Sequence, residues 1–233
     1  MLPETLVAGF LAACLIIFYG VNLYNLKKYR KIKEGLKYKA EVESPRGPPF
    51  VFAALGTFAF FIESALYIVL VFTGFHKFLT DSWLQLHFPF DSWVQALGLS
   101  LTAFGYFLFI WSVLARGRYA TSWEMPENHK LVTWGPYRYV RHPSYLAYII
   151  LFISLPLTLL NLVALIPLIA IPGYIQIASI EEELLIKRFG KEYQQYQQTT
   201  GKFLPKRKPS NCRGSGENQH SGAEGRVWSS GDW

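Results

Sequence analysis

An all-α polytopic membrane protein of about five transmembrane helices is predicted by three observations. Apolar residues make up 51% of the 233 and fall in blocks of span length rather than at amphipathic spacing. Basic residues alternate with those blocks: all of the 23 Lys and Arg except Lys77 lie in 27–49, in 116–142 or beyond 186. Aromatic residues gather where blocks end, as at Trp83, Phe88, Phe90 and Trp93, the position of an interfacial belt.

The first span is 5–26. A signal peptide would carry its basic region before the apolar run, whereas here the positive cluster follows it. A retained span with its N-terminus outside is expected. Segment 27–49 holds eight Lys and Arg and breaks at Gly47-Pro48-Pro49. It is a cytoplasmic loop whose first half could extend along the headgroup surface.

The second span, 50–75, carries Glu63 near its middle. An ionisable group at that depth must face protein or water. A bond to Asn22 or Asn25 of the first span is one expectation and a functional role the other. The third span, 93–115, follows Asp91-Ser92, which offers an N-cap. Its Gly98 and Gly105 allow close helix contact.

Residues 144–180 are apolar for too long to be one span. They fit a hairpin of 144–160 and 162–180, turning near Asn161, with Pro167 and Pro172 bending the second arm. A charged cytoplasmic helix, 181–198, comes next. Residues 1–205 therefore form one integral-membrane domain. The tail, 206–233, is Gly- and Ser-rich without periodicity and is expected to be disordered. Odd span parity and the charge distribution agree on a cytoplasmic C-terminus. The host membrane would be the cell membrane in a prokaryote or the endoplasmic reticulum in a eukaryote.

Several function classes drop out. The net charge of +7 follows topology, so nucleic acid is not the expected partner. Two cysteines make no disulfide framework. No Gly-rich loop after a strand suggests a soluble nucleotide fold. His129 and His142 lack partners at metal-ligand spacing, so no metal is expected.

What remains is His129–Tyr148, HKLVTWGPYRYVRHPSYLAY, where tyrosines interleave with Arg138, Arg141 and His142 between apolar blocks. Gly135-Pro136 signals a turn, and Pro143 suits the first position of a helix. A small charged ligand is one reading of this stretch, and a basic loop on lipid headgroups the other.

LVTWGPY (131–137), RHPSY (141–145) and EEELLIKRFGKEYQQY (181–196) resemble, in content and order, the paired motifs of the isoprenylcysteine carboxyl methyltransferase family. That resemblance covers roughly 93–205. It implies a cytoplasmic site for S-adenosylmethionine formed by the C-terminal half. By motif position the cofactor contacts are His129, Lys130, Leu131, Val132, Tyr137, His142, Pro143, Ser144, Tyr145 and Glu181. The residue chemistry is compatible. Tyrosine rings can face a sulfonium, Glu181 can pair with an amino group, and Arg141 or His142 can take a carboxylate.

The implied acceptor is a lipophilic small molecule or lipidated cysteine met at the membrane, with carboxyl O-methylation the family-typical reaction. An ionised carboxylate needs no base, but a thiol or amine would, and His142 and Glu182 are the candidates. Two positions depart from the family pattern. Ile177 stands where an arginine receives the substrate carboxylate, and Ala147 stands in place of a glycine. The alternatives are an NADPH-dependent sterol-reductase-like enzyme, which shares an RHP-x-Y segment, and a non-catalytic membrane protein of the same fold.

Overall fold

The computed structural model describes residues 1–34, 47–77, 81–117 and 130–206. Its helices are α1 (Glu4–Glu34), α2 (Pro48–Phe72), α3 (Asp91–Arg116), α4 (Pro143–Leu159), α5 (Ala170–Phe189) and α6 (Lys191–Thr199). Short 3-10 segments cover Gly135–Arg138 and Leu162–Ile169. The described residues contain isolated bridges, Gln85 with Asn161 and Val140 with Gly201, but no sheet.

Among the described residues four segments are long and apolar enough to cross a membrane: Glu4–Lys28, Pro48–Phe72, Asp91–Arg116 and Leu162–Phe189. The fifth, Pro143–Leu159, is shorter at 17 residues. At 1.5 Å per residue it reaches about 25 Å, just under the bilayer's apolar thickness. The predicted count of about five is therefore met by four full spans and one short one.

Lipid is as apolar as leucine, so contact between spans depends on close approach and on polar groups. Gly98 and Gly105 supply the approach between α3 and α4. A Cβ at Gly98 would lie 2.6 Å from the Thr158 backbone nitrogen, and one at Gly105 would lie 2.8 Å from Leu151 Cγ. Between them the Thr102 hydroxyl donates to Ser154 Oγ at 2.9 Å. Gly56 lets α2 close on Ala170 of α5 in the same way. An aromatic centre of Phe18, Phe60, Tyr106, Phe109 and Phe152 fills the middle. Phe58, Phe72 and Phe107 point outward.

The hairpin turns at Asn161, whose side chain accepts from Val163 N at 3.0 Å. Pro167 lies within the 3-10 segment that begins the second arm. The proposed Asp91-Ser92 cap is not formed. Phe90 is the capping residue, and Asp91 instead accepts from the Phe88 backbone N–H. The second arm runs unbroken through 181 to Phe189, and the chain turns at Gly190, φ 53°. Only glycine adopts that conformation cheaply. Glu63 does not reach the asparagines of α1: Asn22 donates to Phe18 O at 2.7 Å, and among the described residues neither Asn25 Nδ2 nor Glu63 Oε2 has a hydrogen-bond partner. The expected tail, from 207, lies outside the described residues.

Candidate functional site

Three segments meet at the end of the bundle that carries the Gly135–Arg138 turn. Val132 and Tyr137 come from this extended stretch and turn, and Ser144 and Tyr145 from the first turn of α4. Pro143 opens α4 at a position where a missing N–H costs nothing. Residues 141–142 are tied to the chain after α6: Arg141 N donates to Gly201 O at 2.8 Å and His142 N to Lys202 O at 3.2 Å. Tyr196 of α6 donates its hydroxyl to the Tyr137 carbonyl. These bonds clamp α6 over the site.

At the centre lies a buried charge network. Glu181 is 6% exposed and His142 5%. Glu181 Oε1 accepts from the Tyr145 hydroxyl at 2.8 Å, and its Oε2 lies 3.4 Å from His142 Nδ1. His142 Nε2 lies 3.2 Å from Glu182 Oε1. Arg141 Nε donates to the same Glu182 oxygen at 2.8 Å, while its Nη1 reaches the carbonyls of Gln197 and Thr200. Burial alone would lower the His142 pKa, but hydrogen bonds to Glu181 and Glu182 and their charges outweigh it, so the pKa is raised. Its ring stacks parallel to Tyr145, centroids 5.7 Å apart.

A cavity opens beside this network. Of the ten residues assigned by motif, Leu131, Val132, Tyr137, His142, Ser144, Tyr145 and Glu181 line it. Lys130 is exposed and Pro143 buried in the first turn of α4, and neither lines the wall. His129 lies outside the described residues. Glu182 is also absent from the wall, being held by Arg141 and His142. His142 does not cap α4 with its side chain; it is turned to the glutamates.

The lining adds Arg116, Arg141, Leu184, Leu185, Tyr193 and Tyr196. The last four belong to the second sequence motif, three to fifteen residues beyond Glu181, so their helical spacing carried the signal. Arg116 resembled a topology-marking charge at a span end. Two hydroxyls, Tyr137 Oη and Tyr193 Oη, are buried without a hydrogen-bond partner among the described residues. Buried polar atoms left unpaired are costly, and here both belong to the cavity wall. The wall thus offers a carboxylate, two guanidiniums, an imidazole and several aromatic rings. It suits a compact ligand with both charges and a flat ring.

On the membrane side a separate apolar groove of about 470 Å³ runs between α2 and α5. Phe61, Thr57, Tyr174, Ile177 and Tyr145 line it. Tyr145 therefore faces both spaces.

Residues 93–192 match the family model described as phospholipid methyltransferase. The protein-S-isoprenylcysteine O-methyltransferase of Tribolium castaneum is 33% identical over 125 residues, covering 48% of this chain and 42% of that protein. Arabidopsis thaliana protein-S-isoprenylcysteine O-methyltransferase B is 29% identical over 118 residues, covering 48% of this chain and 60% of the relative. The chain thus spans about half the length of these relatives, and their whole activity does not transfer with the match. A solved structure of the eukaryotic intramembrane Ras methyltransferase, isoprenylcysteine carboxyl methyltransferase, superposes with a TM-score of 0.52 at 22% identity. That superposition covers 88% of this chain and 68% of that one. Motifs, relatives and fold point the same way: over its C-terminal half this chain is similar to the isoprenylcysteine carboxyl methyltransferases, and it shares their fold.

Proposed function

We propose that the chain is a membrane-embedded methyltransferase using S-adenosylmethionine, with a lipophilic acceptor that enters from the bilayer. The observation that carries this reading is Tyr145, which forms part of the wall of both the charged cavity and the membrane-side groove. The residues fit the cofactor's groups. Glu181 would receive its amino group, Arg116 its carboxylate, and the rings of Tyr137 and Tyr145 would face its sulfonium. Bound there, the cofactor would supply an electrophilic methyl group.

The chain's own part is alignment and exclusion of water. His142 and Tyr145 fix the Glu181 carboxylate from two sides, and the Arg141–Glu182 pair holds α6 in place as a cover. The groove accommodates an apolar stem of the kind the relatives' names imply.

Among the described residues no Lys, Arg or His lines the groove. Its hydroxyls also spend their protons inside the protein. Thr57 donates to Ala53 O, which leaves Tyr174 to donate to Thr57, and Tyr145 donates to Glu181. A carboxylate would meet only oxygen lone pairs, so the reacting group is neutral. The site's end of the bundle faces the cytoplasm, on the positive-inside distribution.

Tritiated S-adenosylmethionine binding to purified protein in detergent tests the cofactor. Saturable binding competed by S-adenosylhomocysteine is expected. Binding of NADPH in its place would transfer the site to reductase chemistry. Cysteines placed at Trp83 and Lys191 should label from opposite faces of a sealed vesicle, and labelling from one face would overturn the orientation.

A further inference from the structure

A second cavity lies at the other end of the bundle, away from the charged site. It is enclosed by the beginnings of α1 and α3, the later part of α2, and the hairpin turn after α4. Glu63 stands in its wall, nine residues before the end of α2, or about 13 Å in from that end. Leu66, Tyr67, Leu159, Val163 and Ala164 make much of the wall apolar, and Glu4, Gln85, Gln95 and Asn161 supply its other polar groups.

Hydrogen bonding at this cavity is one-sided. Gln95 Nε2 donates to Thr158 O at 3.1 Å, Gln85 Nε2 to Leu159 O at 3.2 Å, and Asn161 Nδ2 faces Gln85 Oε1 at 3.5 Å. Each amide nitrogen of the wall is thus turned to a protein acceptor. Among the described residues Glu63 Oε2 is buried without a hydrogen-bond partner, and no Lys, Arg or His side chain lines the space. The nearest carboxylate, Glu4, is already paired with His76 at 2.8 Å. An acceptor without a donor, at membrane depth and within apolar walls, is costly unless a ligand supplies the missing proton or charge.

We propose that this cavity binds a lipophilic ammonium: an alkyl chain against Leu66, Leu159 and Ala164, and a protonated amine at Glu63 beside the Tyr67 ring. The amine N–H satisfies Glu63, its positive charge balances the carboxylate, and the tyrosine face adds cation–π attraction. The site is separate from the methyl-transfer reading and does not depend on it.

The probe is N,N-dimethyloctylamine, which is protonated at neutral pH and cannot form an amide; 1-octanol is its neutral counterpart. Calorimetry on the full chain in nanodiscs should show saturable amine binding, weakened at least tenfold by Glu63→Gln. Circular dichroism and the thermal unfolding midpoint of the same variant report its folding. Equal binding of octanol, or unchanged amine affinity in folded Glu63→Gln, would overturn the site.

Where that variant does not fold, the wild type decides. Dicyclohexylcarbodiimide adds a protonated carboxyl across one C=N bond, the acid proton passing to nitrogen, and the adduct rearranges to a stable acylurea with no leaving group. Mass spectrometry should find the adduct on Glu63, suppressed by the amine and not by octanol. No adduct on Glu63, or equal suppression by both compounds, would refute the proposal.

Discussion

The Tyr145 hydroxyl donates to Glu181 Oε1 at 2.8 Å, joining the first turn of α4 to α5 where cavity and groove meet. The bond holds the carboxylate from one side while His142 holds it from the other. Glu181→Gln keeps the side chain's shape but removes the charge proposed to receive the cofactor's amino group. Its S-adenosylmethionine affinity should fall by about 1.5–3 kcal/mol, the worth of a charged hydrogen bond. Tyr145→Phe should lose less, about 1 kcal/mol, because His142 still restrains the carboxylate. Calorimetric titration of both variants checks the order; equal affinity in wild type and Glu181→Gln removes Glu181 from the site.

Arg141 lines the cavity but is held by Glu182, which stands outside the wall, so the pair also fixes position. Neither end of the pair is much exposed, and the same guanidinium holds carbonyls at the end of α6. Removing one partner leaves the other charge stranded, so Arg141→Met should cost about 3–5 kcal/mol of stability. Thermal unfolding followed through the tryptophans measures it. The double variant Arg141→Met, Glu182→Gln should recover part of the loss, since no unpaired charge remains. No recovery would assign the effect to the carbonyl contacts instead.

His142 gives the protein a pH signature. Its pKa is raised in the folded state, where hydrogen bonds to Glu181 and Glu182 outweigh the lowering by burial. A raised folded value means the unfolded chain releases its proton first. The stabilisation is full below the unfolded value, about 6.5, and is lost as pH rises through the folded value. Wild type should therefore exceed His142→Gln in melting temperature most at mildly acid pH, with the gap narrowing as pH rises. A gap that widens with pH would show that the imidazole is held neutral.

Much of this site was legible because its residues are local in sequence. RHPSY places His142, Ser144 and Tyr145 on one helix start, and the second motif places Glu181, Leu184 and Leu185 on one helix face. The spans were legible because lipid demands long apolar runs. Arg116 was missed because a basic residue ending a span has an ordinary explanation in topology. The capture of Arg141 by Glu182 was missed because it joins positions 41 apart, and nothing in either motif says which of two neighbouring basic groups turns inward. The Asp91-Ser92 cap failed because α3 already begins at Asp91, which leaves Phe90 in the capping position, with Asp91 drawn back to the Phe88 N–H.

The acceptor turns on Ile177. It is buried in the groove wall, one helical turn before Glu181, where the family pattern has a carboxylate-receiving arginine. With no cation among the described residues of the wall and with Thr57, Tyr174 and Tyr145 donating within the protein, an unpaired anion there would be expensive. A farnesylcysteine analogue with a free carboxylate should therefore be a poor substrate, and a neutral acceptor on a comparable apolar stem a better one. Ile177→Arg should raise turnover of the carboxylate substrate by about tenfold or more, as a charge-assisted hydrogen bond of about 1.5 kcal/mol implies. It should leave cofactor affinity unchanged, which separates an acceptor effect from a damaged site. Arg141 is not available to substitute, because Glu182 and the α6 carbonyls hold it. Tritiated methyl transfer to the two acceptor classes, in wild type and variant, measures the difference. Robust wild-type turnover of the farnesylcysteine analogue, unaltered by Ile177→Arg, would mean that the carboxylate is received elsewhere, and Arg116 would be the next residue to change.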